Sequence, residues 1–319
     1  MWWLANVRSV ALVCLPTCRS FAGNAEKPLH WVDPKDPANN VTLYFRGQRI
    51  LDYALDWLIQ NKGLGSATDV LFSGGSAGGL ATFLRADAAH DLLLQRKVPL
   101  KRFRGLPVSG FFLDHADEAG QGAFADSMHS TYALHNCSGG VPPACTAALP
   151  ASEHWRCFLA NYSLPAVRTP LFMLQSSLDL YQLFAILRMG GWQSGCLNTD
   201  AQFNGSSTQP ACTPAQVLQL QQYGSDFLAD LRRSLPAAAQ GSGGFVYSCL
   251  GHQDAIGMTG GDWQRIAING TTMQQAVSAW WEAPTETVGN GEETHWHLPC
   301  EVTTAPPHQC NPSCKPVHV

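Results

Sequence analysis

The apolar positions of this chain alternate between helix-like stripes and short continuous runs. Between residues 46 and 62, Ile50, Leu51, Ala54, Leu55, Trp57 and Leu58 recur at helical spacing, and Gly63 closes the run. That pattern predicts an amphipathic helix with a glycine stop. Asp69-Val70-Leu71-Phe72-Ser73 then forms a continuous run of the kind carried by a strand covered on both faces. It leads into Gly74-Gly75-Ser76-Ala77-Gly78-Gly79, and a helix-like stretch follows from Leu80 to Leu94. Further strands are predicted over 103–113, 170–176 and 244–249, and further helices over 214–233 and 271–282. Strands alternating with helices place the chain in the α/β class, with a mostly parallel sheet and helices on both faces.

Residues 136–152 and 194–213 are rich in small and polar residues and are bracketed by cysteines. Both are expected to be stapled surface excursions. The Pro/Thr/His-rich tail after Glu282 is expected to be irregular. No repeat or linker divides the chain, so residues 20–319 are expected to form one domain with a Cys-rich C-terminal tail. Residues 1–19 precede it as a divergent N-terminus. Their short apolar run from Val10 to Leu15 reads equally as a weak signal-like segment or as a buried strand.

Composition narrows the class. Charged residues make up 14% and hydrophobic residues 45%, against about 25% charged in an ordinary soluble domain. Such a chain can bury a large core and is not disordered. A net charge of -4 gives no electrostatic footprint for nucleic acid. No stretch approaches the ~18 consecutive apolar residues of a membrane span. His295-x-His297 could be half of a metal site, but the sequence places no third ligand, so no metal and no other cofactor are expected.

Eleven cysteines, none paired as C-x-x-C, point to disulfides and an oxidising compartment. Local spacing suggests Cys196 with Cys212, and Cys137 with Cys145 or Cys157. An odd count leaves at least one thiol unpaired within the chain. N-x-[ST] sequons begin at Asn40, Asn136, Asn161, Asn204 and Asn269, against about 1.5 expected from composition. Cysteines and sequons together favour a secreted, extracellular or cell-wall glycoprotein, and a monomer is expected.

Gly74-Gly75-Ser76-Ala77-Gly78 matches G-x-S-x-G. A nucleophile on a sharp strand-to-helix turn crowds its neighbours, so the residues two before and two after it must be very small. The serine hydroxyl then stands above the sheet, with the next N–H, that of Ala77, aimed at the developing oxyanion. The competing reading is a phosphate-cradling or merely tight turn, but no G-x-x-x-x-G-K-[ST] is present. A serine hydrolase of this order needs an acid and then a histidine downstream. Asp179, just past the 170–176 strand, and Asp114, at the end of Gly110-Phe111-Phe112-Leu113, are both placed to be the acid. His252, shortly after the 244–249 strand, is placed to be the base.

At these residues the sequence resembles the pectin acetylesterase family of plant cell-wall esterases, related to the animal Notum carboxylesterases. The likeness is carried by Ser20-Phe21-Ala22-Gly23-Asn24, by Thr42-Leu43-Tyr44-Phe45-Arg46-Gly47-Gln48-Arg49-Ile50 and by Leu71 to Ala81. The second of these favours the plant-type branch. The resemblance implies an α/β-hydrolase-like fold with Ser76 as nucleophile, Asp179 as acid and His252 as base. It implies removal of acetyl groups from pectic homogalacturonan through an acetyl-Ser76 intermediate, with acetylated pectin as the partner. Family members carry a longer N-terminal section whose Gly-Gly-Gly-Trp-Cys type turn supplies a second oxyanion donor. No such segment is found in this sequence, so the sheet is expected to be N-terminally incomplete. The alternatives are a catalytically impaired wall-associated binding protein and a Notum-like acyl-protein carboxylesterase.

Overall fold

A computed structural model describes residues 21–189, 212–235, 241–255, 262–284, 295–299, 311 and 313–314. The chain first forms an antiparallel hairpin of Leu29–Val32 (β1) and Asn40–Leu43 (β2). Helix Gly47–Asn61 (α1) leads to strand Asp69–Gly75 (β3), helix Ala77–Gln95 (α2) and strand Arg102–Val108 (β4). Helices Ala123–Leu134 (α3), Pro143–Ala147 (α4) and Ala160–Ser163 (α5) separate β4 from strand Phe172–Ser176 (β5). Helix Leu180–Ala185 (α6) follows, then the long helix Pro214–Ser234 (α7) and strand Gly243–Tyr247 (β6). The described chain closes with Asp262–Arg265 (α8), the short hairpin Ala267–Ile268 (β7) and Thr271–Thr272 (β8), helix Met273–Glu282 (α9) and strand His295–His297 (β9).

Five of these strands make one sheet in the order β3-β4-β5-β6-β9, with every pairing parallel. Period-two alternation splits its central strands between two cores. Leu171, Met173 and Val246 join α2, α5 and α7 residues on one face. Phe172, Leu174, Phe245 and Tyr247 join Met273, Val277, Trp280 and Trp281 of α9 on the other. Covering both faces is what makes these strands continuous apolar runs in sequence. Leu51, Leu55 and Leu58 of α1 pack in a third cluster with Ala89 and Leu93 of α2. The buried Arg104 guanidinium donates to the carbonyls of Trp280, Trp281 and Ala283, capping the C-terminus of α9. Helices α7 and α9 both open with a capping box, Thr213 with Gln216 and Thr272 with Gln275.

Several sequence expectations change. The strand expected over 103–113 ends at Val108, because Ser109 takes φ +49 and leaves the extended region. Residues 136–152 are not a loop but carry short helical turns over 138–140 and in α4. His295 to His297, expected in an irregular tail, pair with β6, and hairpin β1–β2 was not anticipated. Cys145 is bonded to Cys157, which leaves Cys137 as a buried free thiol. Burial pushes that thiol up to about 12. A second disulfide joins Cys249 to Cys314. Cys212 is also disulfide-bonded, while its expected partner Cys196 lies outside the described residues. Asn40, Asn136 and Asn269 are exposed, whereas Asn161 is half-buried beside the fully buried Ser163; Asn204 lies outside the described residues.

Candidate active site

The C-terminal ends of four neighbouring strands build the site. Strand β3 stops at Gly75, α2 starts at Ala77, and Ser76 between them has φ 56 and ψ -120. That left-handed geometry is costly for a residue with a side chain and is characteristic of a nucleophile held on a strained turn. The turn closes only because Gly74 has no side chain. A Cβ there would lie 2.9 Å from the Gly78 Cα. Gly79 lies equally close to the next strand, its Cβ position 3.0 Å from the Gly110 Cα. Gly78 itself faces open space, so of the two glycines in the motif only Gly74 is demanded by contact. Ala77 is the first residue of α2, where N–H groups have no acceptor within the helix.

His252 follows β6, and its Nε2 lies 2.8 Å from the Ser76 Oγ. Its Nδ1 lies 2.8 Å from Oδ2 of Asp179, which follows β5. A carboxylate only accepts, so the ring proton sits on Nδ1 and the Nε2 lone pair faces the serine hydroxyl. Asp179 is completely buried and takes two more hydrogen bonds. The Gln182 N–H donates to Oδ1 and the Gln175 Nε2 donates to Oδ2, both at 3.2 Å. These two glutamines are themselves locked. Gln175 Oε1 accepts from the Phe111 N–H at 3.0 Å, and Gln182 Oε1 accepts from the Leu113 N–H at 3.1 Å and the Tyr223 hydroxyl at 2.9 Å. Tyr181 stacks on His252 with ring centroids 5.6 Å apart.

Asp114, the other acid suggested by spacing, is elsewhere engaged. Its Oδ2 accepts from Arg156 Nη1 at 2.6 Å, and the same guanidinium nitrogen donates to the Tyr162 hydroxyl. The sequence reading missed Gln175, Gln182 and Ser109, since what they bind is largely main chain from segments far apart in sequence. Strong hydrophobic flanks around two polar residues, Gln175 in β5 and Gln182 in α6, were the only available signal.

The loop bearing His252 is tied down on several sides. The Ser176 Oγ donates to the Cys249 carbonyl at 2.5 Å, and the Leu180 N–H donates to the Gly251 carbonyl at 3.2 Å. The Tyr247 hydroxyl donates to Asp254 Oδ2 at 2.8 Å. Burial pushes the Asp254 carboxyl up to about 6, against the pull of that hydrogen bond. The folded state therefore holds an extra proton between about pH 4 and 6, and stability falls as pH rises through that window, by on the order of 3 kcal/mol. Denaturant unfolding of Asp254→Asn at pH 4, 5, 6 and 7 is expected to show that slope removed. An unchanged slope in the variant would refute the assignment.

Comparison with known proteins identifies the family. The profile of the family described as Pectinacetylesterase matches residues 12–314. A Xenopus laevis palmitoleoyl-protein carboxylesterase, notum1, is 27% identical over 98% of this chain and 57% of its own length. Arabidopsis thaliana pectin acetylesterase 7 is 27% identical over 92% of this chain and 66% of its own. The chain thus spans a little over half to two thirds of the length of these relatives. Among solved structures, the Wnt deacylase Notum from Drosophila superposes with a TM-score of 0.62 at 25% identity, covering 93% of this chain and 72% of that one. A parallel α/β sheet with a strained serine turn, matched by the family profile from residue 12 to residue 314, leads to one assignment: the chain belongs to the pectinacetylesterase family.

Proposed function

We propose that the chain is a serine carboxylic-ester hydrolase working through a covalent acyl-Ser76 intermediate. The observation that carries this is the unbroken line from Ser76 Oγ to His252 Nε2 and from His252 Nδ1 to Asp179, 2.8 Å at each step. His252 takes the hydroxyl proton as Ser76 Oγ attacks the ester carbonyl, and Asp179 stabilises the resulting imidazolium. The Ala77 N–H faces the negative charge on the carbonyl oxygen. Collapse expels the alcohol, which receives the proton from His252 Nε2. Water then attacks the acyl-Ser76 with His252 again as base, releasing the acid and restoring the serine. No cofactor enters any step.

For substrate, our reading is the acetyl ester of a pectic polysaccharide. It is supported by the family profile and by the Arabidopsis relatives named pectin acetylesterase. A protein-linked long acyl ester is the second reading, favoured by equal identity to the Xenopus carboxylesterase. The two disulfides support a secreted protein. No helix among the described residues is long and apolar enough to cross a membrane.

Fluorophosphonate labelling tests the mechanism. The unmutated protein is expected to label, and Ser76→Ala to lose both labelling and about 10⁴-fold or more in kcat. Equal labelling of the variant would overturn the assignment of the nucleophile. Acetate release from acetylated pectin, set against hydrolysis of p-nitrophenyl palmitate, separates the two substrate readings.

A further inference from the structure

Val108, the last residue of β4, and the two residues after it touch both halves of the catalytic line. The Val108 carbonyl accepts the Ser76 N–H at 2.8 Å. The Ser109 Oγ accepts the Gln253 N–H at 2.9 Å. Gly110 lies against Gly79 at the start of α2, so close that a Cβ on it would fall 2.6 Å from the Gly79 Cα. The nucleophile turn and the base loop come from β3 and β6, which are not neighbours in the sheet. Among the described residues, this tripeptide hydrogen-bonds to both of them.

Ser109 is the member facing the base. It is completely buried and has φ +49, and its own N–H is committed to the Leu174 carbonyl of β5 at 2.8 Å. Its hydroxyl is therefore fixed in place by two strands. Gln253, which it holds, follows His252 directly and has φ +60. A serine and a glutamine in left-handed backbone both go against local preference. Such geometry persists where the surroundings over-determine it, and it clusters at functional sites. A glycine at 109 would relieve the strain, and only a residue with an acceptor oxygen makes the bond.

We propose that Ser109 is a positioning residue that fixes the base loop, through the Gln253 N–H, to the same tripeptide that holds the nucleophile turn. The proposal rests on the reading of Ser76 and His252 as nucleophile and base. Its action is geometric. An imidazole must alternate between the serine oxygen and the departing or attacking oxygen, and misplacement by about 1 Å costs up to about 10²-fold in rate.

Two substitutions separate this role from simple packing. Ser109→Ala removes the acceptor and keeps the strain, whereas Ser109→Gly removes the acceptor and relieves the strain. Both are expected to lower kcat on p-nitrophenyl acetate about tenfold with KM within twofold. Ser109→Gly is expected to melt at or above the unmutated protein. Both should still reach full fluorophosphonate labelling, but at a slower rate. A Gly variant with kcat within twofold of the unmutated protein would overturn the proposal. So would a Gly variant that loses melting temperature and labelling endpoint together, since that is the signature of lost structure. Failure of the underlying reading shows differently: Ser76→Ala would then label as well as the unmutated protein, and the proposal would fall with it.

Discussion

Asp179→Asn is expected to lower kcat by about 10⁴-fold with little change in KM or in circular dichroism. The size of the effect follows from how completely the hydrogen bonds around this carboxylate are committed. Oδ1 takes the Gln182 N–H, and Oδ2 takes both the Gln175 amide and the His252 ring N–H. An asparagine that keeps its oxygen toward Gln182 turns its NH₂ toward His252 and Gln175. Nδ1 must then accept, the ring proton moves to Nε2, and nothing is left to take the Ser76 proton. Flipping the amide does not help, because its NH₂ then meets the Gln182 N–H. The Gln175 amide cannot rotate to compensate, since its oxygen is held by the Phe111 N–H. Steady-state kinetics with a soluble acetyl ester gives the answer, and a loss of less than tenfold would show that Asp179 does not set the tautomer of His252.

Gly110→Ala is expected to be the most damaging substitution for folding. A Cβ at that position lies 2.6 Å from the Gly79 Cα, and the obstacle is backbone on both sides. Main chain cannot swing aside as a long side chain can, so α2 and the segment after β4 must separate, at a cost of about 4 kcal/mol or more. That is a large share of the roughly 5–15 kcal/mol by which a domain is stable. Gly78→Ala is the matched control. It sits in the first turn of the same helix, yet its Cβ would meet nothing within 4 Å, and alanine is the better helix former. Secreted yield and melting temperature should therefore collapse for the first and hold for the second. Equal behaviour of the two would mean that the contact between α2 and the segment after β4 is not as close as described.

The contrast between these glycines shows what sequence could and could not convey. G-x-S-x-G treats Gly74 and Gly78 alike, whereas contact demands glycine at 74, 79 and 110. Strands β5 and β6 were legible because both faces are covered, so their apolar runs are unbroken, and β3 was legible from its short Val70-Leu71-Phe72 run. Helix α1 was legible from its stripe and its glycine stop. Ser76 and His252 were singled out by turn chemistry and chain order, and the fold brings them within 2.8 Å of each other. The choice of acid stayed open in the sequence, since Asp179 and Asp114 each follow an apolar run; in the fold His252 meets Asp179 while Asp114 is paired with Arg156. Hairpin β1–β2 escaped notice since its residues are almost all exposed and carry no buried face to read. Strand β9 escaped since three residues, His-Trp-His, are too few for a period.

The disulfide between Cys249 and Cys314 has a consequence for the order of synthesis. Cys249 stands three residues before His252, and its partner lies 65 residues further along. At about 5–20 residues per second, the ribosome delivers the second sulfur some 3–13 seconds after the first. Cys145 and Cys157, only 12 residues apart, face no such delay. The Ser76 turn thus belongs to the early part of the chain, while the segment leading into His252 is tied to late sequence through a bond that needs an oxidant. Closing this link takes oxidation as well as elongation.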